Sequence, residues 1–140
     1  MADQRRARHA VRAAAKAPVI LLDTHAAIWM VKDHRRARPL AKLPRLYLSP
    51  ATVLELQFLA EVGRVRFADQ ASPATLAADE RWQLDDPPSG RWFAAACDVA
   101  WTRDPFDRLL AAHARLRGWK LATADDVLLG RMAPSEVLRL

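Results

Sequence analysis

The sequence predicts an α/β domain built on a central, largely parallel sheet, and three observations carry that prediction. Short apolar runs alternate with longer segments of helical periodicity along most of the chain. The run PVILL at 18–22 is continuously apolar and ends on Asp23, the pattern of a strand buried on both faces. Ser49 with Pro50, Ser72 with Pro73 and Asp104 with Pro105 each set a capping side chain before a proline, which marks a helix start.

A length of 140 residues suits one domain, large enough for a sheet with helices on both faces. The single Cys97 excludes an internal disulfide and fits a reducing compartment, where it reads as a small buried residue. No apolar run approaches the roughly 20 residues needed to span a bilayer, so the expectation is a soluble, cytoplasmic protein without a membrane partner. Lys and Arg outnumber Asp and Glu by 22 to 16, and much of the +6 charge lies in residues 1–18. That segment reads as a mobile basic arm, or an extension from an early start codon, ahead of a domain at 19–140. A basic balance points to a polyanionic partner. The excess of Arg over Lys, with so much Ala, also fits a compositional bias, so charge alone does not establish nucleic acid.

The elements follow in order. Residues 19–22 form the first strand. Thr24 opens a helix in which Ala27, Ile28 and Val31 face the sheet. The polar, basic stretch 33–43, broken by Pro39, is a short helix pair or a loop. Residues 45–48 form the second strand, and a helix runs from Pro50 to Gly63. Glu55 stands inside that apolar helix, where it either extends to water or points into a polar pocket. Residues 64–67 are extended, 74–81 helical, and 82–84 a third strand. The sequence DDPPSG at 85–90 is a turn, followed by an alanine-rich helix at 91–100 whose packed face is Trp92, Ala95, Ala96 and Val99.

From Pro105 the apolar residues Phe106, Leu109, Leu110, Ala112 and Leu116 recur at helical spacing until Gly118 supplies a left-handed stop. Asp107 falls at the third helical position, with the small Ala111 and Ala114 one turn and two turns on. Residues 120–123 form a strand, Asp125 and Asp126 follow at once, and 137–140 is a short edge strand.

Each of these acids, taken alone, is an ordinary capping residue stabilised by exposed N–H groups and the helix dipole. Together, Asp23, Glu55, Asp104, Asp107 and Asp125 lie at strand ends or on the helices that follow, where open parallel sheets bind ligands. No His or Cys accompanies them at metal-ligand spacing, and carboxylates alone suit hard cations, Mg²⁺ or Mn²⁺, rather than zinc. Two such charges at about 4 Å repel by roughly 4 kcal/mol at an effective dielectric near 20. Without a cation the acids would protonate or stand apart.

The order ILLDTHAAIW, SPATVLEL, RDPFDRLLAAHA and LATADD resembles the PIN domain of VapC-type toxins, the ribonuclease half of bacterial toxin–antitoxin pairs, from about residue 19 to the C-terminus. The resemblance implies a three-layer α/β/α domain with a central, mostly parallel sheet, and metal-dependent cleavage of single-stranded RNA with Mg²⁺ or Mn²⁺. By motif, Asp23, Glu55, Asp107 and Asp125 match the family's catalytic, metal-binding acids. Asp104, Thr24, Ser49 and Thr123 would support them, and Arg103, Arg108 and Arg115 would track RNA phosphates unless they are simply a solvated helix face. It further implies a VapB-type antitoxin and a homodimer.

Two other readings compete. An aspartate-nucleophile phosphatase of the haloacid-dehalogenase type needs Asp-x-Asp after the first strand, and here the sequence is Asp23-Thr24-His25. A non-catalytic nucleic-acid-binding module with a PIN-like fold would explain the charge, but not four acids at one sheet edge.

Overall fold

The computed structural model describes residues 2–68 and 71–140, with side chains at all of these except 10–16. Its centre is a five-stranded sheet of β1 (Ile20–Leu22), β2 (Leu46–Leu48), β3 (Gln83–Leu84), β4 (Lys120–Thr123) and β5 (Val137–Arg139) in the order β3-β2-β1-β4-β5. Every pairing is parallel, with Leu21 opposite Tyr47 on one side and Leu121 on the other. The helices are α1 (Ala2–Lys16), α2 (Thr24–Val31), α3 (Pro50–Glu61), α4 (Pro73–Ala77), α5 (Ser89–Cys97), α6 (Pro105–Arg117) and α7 (Asp126–Arg131).

The layering follows from the pleat of β1. Successive strand side chains point to opposite faces, so Ile20 and Leu22 join one core with Ala26, Ala27 and Ile28 of α2, Leu56 of α3 and Trp82. Leu21 joins the other, with Leu121 of β4, Trp92 and Ala96 of α5, and Leu110, Ala111 and Ala114 of α6. All three β1 residues are fully buried, as the uninterrupted apolar run requires. Ser49, Ser72 and Asp104 cap α3, α4 and α6, and Gly118 ends α6 at φ 69°.

Several expectations need correction. Val31 is 43% exposed rather than turned to the sheet, because Ala27 and Ile28 already fill that face of a two-turn helix. The helix expected at 74–81 stops at Ala77, and Asp79 folds back to accept bonds from the Arg81 backbone and guanidinium at 2.9 Å. The stretch 33–43 contains a single 3-10 helix, Arg35–Leu40. Cys97 is exposed, on the side of α5 away from Trp92 and Ala96. Within residues 1–18, 2–16 form α1, as a run of strong helix formers favours, and its described side chains 2–9 are exposed. No helix among the described residues is long and apolar enough to cross a membrane.

One polar brace lies inside the second core. His113 of α6 has no exposed surface; its Nδ1 lies 2.9 Å from Ser49 Oγ and its Nε2 lies 2.7 Å from Asp85 Oδ2, while Arg117 Nε donates to the same Asp85 oxygen at 2.8 Å. Burial holds the imidazole pKa below its ordinary 6.5, against the pull of Asp85. A neutral ring fits only one assignment: Nε2–H donates to the carboxylate and Nδ1 accepts the Ser49 hydroxyl, whose oxygen in turn accepts the Ala51 N–H at 3.2 Å. The brace ties α6 to the ends of β2 and β3.

His113→Ala should lower the melting temperature at pH 8 by about 10 °C, the consequence of a cavity and lost buried bonds. A depressed imidazole pKa contributes stability that is present above 6.5 and lost as pH falls through the folded value. The gap between wild type and variant should therefore narrow below pH 6; a gap that widens on acidification would contradict the neutral-histidine assignment.

Candidate functional site

The sheet order reverses at β1: the chain builds β2 and β3 on one side of it, then returns to place β4 and β5 on the other. Parallel sheets open a crevice beyond the strand ends at such a point. Asp23 stands there, directly after β1. Its backbone N–H donates to Ala122 O of β4 at 3.1 Å, and its Oδ1 accepts the Ala26 N–H at 2.7 Å to cap α2. Asp23 is 5% exposed, an unusual depth for a charge.

Thr24 follows, also buried, and its hydroxyl donates to Glu55 Oε1. Glu55 therefore does not extend away to water. It stands beside Thr24, with the Thr52 hydroxyl 3.4 Å from that of Thr24. Across from α3, Asp104 Oδ1 accepts the N–H groups of Phe106 and Asp107 at 2.8 and 3.3 Å, which presents Asp107 on the first turn of α6. After β4, Asp125 N–H donates to Thr123 Oγ1 at 3.0 Å and Asp125 Oδ1 accepts the Leu128 N–H at 3.0 Å. Thr123 thus contacts Asp125 through the Asp125 backbone N–H.

Electrostatics joins these five acids into one group. Burial raises the Asp107 pKa to about 7, and the charges of Asp104, Asp125, Glu55 and Asp23 add to that rise. Glu55 is also raised, first by burial and then by Asp104 and Asp23, although Thr24 opposes the shift. Asp23 is raised by burial and Asp125, while the Thr123 hydroxyl, the Ala26 N–H and nearby His25 pull it down. Among the described residues no three His, Cys, Asp or Glu side chains converge tightly enough to enclose an ion as they lie. A donor set of carboxylates that raise one another's pKa nonetheless suits a hard divalent cation, since such an ion would relieve the repulsion.

The other expected residues divide. Ser49 is fully buried and engaged with His113 and the α3 cap, so it braces α6 rather than joining the acids. Arg108 Nε donates to Thr102 O at 2.7 Å and Arg115 pairs with Glu136 at 2.9 Å, which commits both within the fold; Arg103 is exposed. Sequence reasoning passed over Trp29 and Arg36, which line an open cleft with Asp23, His25, Ala124 and Asp125. The spacing of His25 and Trp29, one helical turn apart, was the available signal.

Comparison with known proteins bears on the family and the fold. The PIN domain family model matches residues 20–133. A ribonuclease VapC22 of Mycobacterium tuberculosis is 29% identical over 124 residues, covering 84% of this chain and 95% of that protein. Among solved structures, a toxin–antitoxin complex from Klebsiella pneumoniae superposes with a TM-score of 0.61 at 17% identity, covering 85% of this chain and 95% of the other. A Rickettsia felis VapBC2 complex bound to a promoter DNA fragment also gives 0.61, at 15% identity and 87% and 98% coverage. At these identities the structural likeness concerns the fold.

Because the folded state holds the Asp107 pKa near 7, above the ordinary 3.8, stability should fall as pH rises from about 4 to about 7. Asp107→Asn should melt roughly 3–7 °C above wild type at pH 8, allowing for solvent screening, with the difference vanishing near pH 4. Thermal melts across pH check this; a variant less stable than wild type at pH 8 would contradict it.

Proposed function

The chain belongs to the PIN domain family, and from that premise we propose that it is a Mg²⁺- or Mn²⁺-dependent endoribonuclease, the toxin of a toxin–antitoxin pair. The observation that carries this reading is the mutual coupling of Asp23, Glu55, Asp107 and Asp125 at the crevice beyond β1 and β4. Four clustered carboxylates repel an RNA phosphate, so the reading requires a cation between them and the substrate.

Asp23, Glu55 and Asp107 would hold the principal ion. Bound Mg²⁺ or Mn²⁺ supplies charge neutralisation and lowers the pKa of water there. The chain's own groups do the rest. Thr24 fixes the rotamer of Glu55, and the Asp104 cap fixes the first turn of α6, so the acids arrive oriented. Asp125 has one oxygen committed to the Leu128 N–H; its other oxygen is the acceptor we assign to the proton of the attacking water. An acid kept partly protonated near neutrality, as Asp107 is, passes to its ionised form when a cation binds, so affinity for the ion should rise with pH.

Partners are assigned on the same basis. The M. tuberculosis relative is named a ribonuclease, and the K. pneumoniae structure is a toxin–antitoxin complex. We assign a VapB-type antitoxin, a homodimer and a cytoplasmic location to this chain by that likeness.

Purified protein incubated with total RNA should yield discrete products in Mn²⁺ and none in EDTA. Asp23→Asn should reduce the rate on the order of 100-fold or more, without lowering the melting temperature. RNA binding without cleavage in Mn²⁺ would favour the non-catalytic module instead, and an active Asp23→Asn protein would remove Asp23 from the site.

A further inference from the structure

The cleft beside the acids has a second wall that the proposed chemistry leaves unused. His25 and Trp29 stand one turn apart on α2, their ring centroids 6.2 Å apart and tilted by 54°. Trp29 stacks on His34 at 5.5 Å and 23°, and the Arg36 guanidinium lies 5.1 Å from the Trp29 ring centroid. The chain reverses after α2 to bring these groups together: His34 N–H donates to Trp29 O at 2.8 Å, and Arg36 N–H donates to His34 Nδ1 at 3.1 Å. Trp29 is partly buried while His25, His34 and Arg36 are exposed. Among the described residues Arg36 makes no ion pair with an acid, unlike Arg115 and Arg117. His25, Trp29 and Arg36 line the same cleft as Asp23 and Asp125.

A cationic, planar and aromatic surface beside a cation-binding cluster matches the two parts of a nucleotide. We propose that His25, Trp29 and Arg36 form a subsite for single-stranded RNA, taking the unpaired base next to the scissile phosphate against the ring surface and a flanking phosphate on Arg36. Only an unpaired base exposes a face for such stacking, so the subsite selects single strands over duplex. This rests on the ribonuclease reading, and it assigns phosphate contact to Arg36 rather than to Arg108 or Arg115. Because the cleft joins the platform to Asp23 and Asp125, a base seated there delivers its neighbouring phosphate to the acids.

The test uses the full chain and a fluorescently labelled, mixed-sequence 12-nucleotide RNA, single-stranded or annealed to its complement, followed by anisotropy in EDTA. Wild type should prefer the single strand. Arg36→Ala and Trp29→Ala should each weaken that binding about tenfold, and Arg36→Ala should reduce the slope of log affinity against log salt by about one. Trp29→Phe, which keeps a ring, should retain most of the affinity and guards against misfolding in Trp29→Ala, with melting curves for every variant. In Mn²⁺, cleavage by Arg36→Ala should suffer in KM more than in kcat. Arg36→Ala and a folded Trp29→Ala that both bind as wild type would overturn the subsite while leaving the nuclease intact. Single-strand binding that depends on Trp29 and Arg36 in a protein that never cleaves would support the subsite and remove the nuclease reading. Neither binding nor cleavage by wild type would overturn both.

Discussion

The constraint on which the rest depends is the burial of Asp23 at the end of the central strand. A carboxylate at 5% exposure is costly unless something stabilises it. The Ala26 N–H, the Thr123 hydroxyl and the positive start of α2 do so only in part, since its pKa remains raised. Asp125 adds repulsion rather than relief, and Asp23 in turn helps to raise Glu55 and Asp107. A core that could hold an apolar residue here with less strain holds an acid, and the crevice beyond β1 and β4 is arranged around it.

Keeping such charges close demands rigid supports. Glu55 rides on α3 and Asp107 on α6, so their separation depends on how those helices are held. Ser49 caps α3 and also meets His113 of α6, and His113 meets Asp85 at the end of β3, with Arg117 completing the chain of contacts. This brace has no unpartnered buried side-chain polar atom among the described residues, the condition under which a buried polar network rigidifies rather than weakens a core. Trp92 adds a second tie by donating from Nε1 to Leu109 O at 2.8 Å, which locks α5 to α6. The acids can then stay near one another without drawing the helices apart.

Much of this was legible in the residues. The five strands, the proline-marked helix starts and the Gly118 stop depend on local chemistry, and local chemistry survives translation into structure. So does the placement of Asp23, Asp107 and Asp125, because strand ends and first helical turns can be read from sequence. What failed depended on which side of an element its neighbours leave open. Val31 and Cys97 looked internal by composition, yet each lies on a helix whose buried face is already filled by other residues. Glu55 offered two readings that only the approach of Thr24 separates. The brace was invisible because Ser49, Asp85 and His113 are 64 and 28 residues apart along the chain in their pairings with the histidine, and no periodicity reports such a meeting. The arginine contacts were hidden for a related reason: Arg115 finds Glu136, while Arg36 reaches Trp29 only because the chain turns back after α2.

Whether the buried acids hold a cation is decided by crystals soaked in Mn²⁺ and measured near the manganese edge. An anomalous peak bounded by Asp23, Glu55 and Asp107 with Asp125 adjacent is expected, and its loss in Asp107→Asn crystals soaked alike. A strong peak elsewhere on the protein, with none at this crevice at saturating Mn²⁺, would contradict a cation site there.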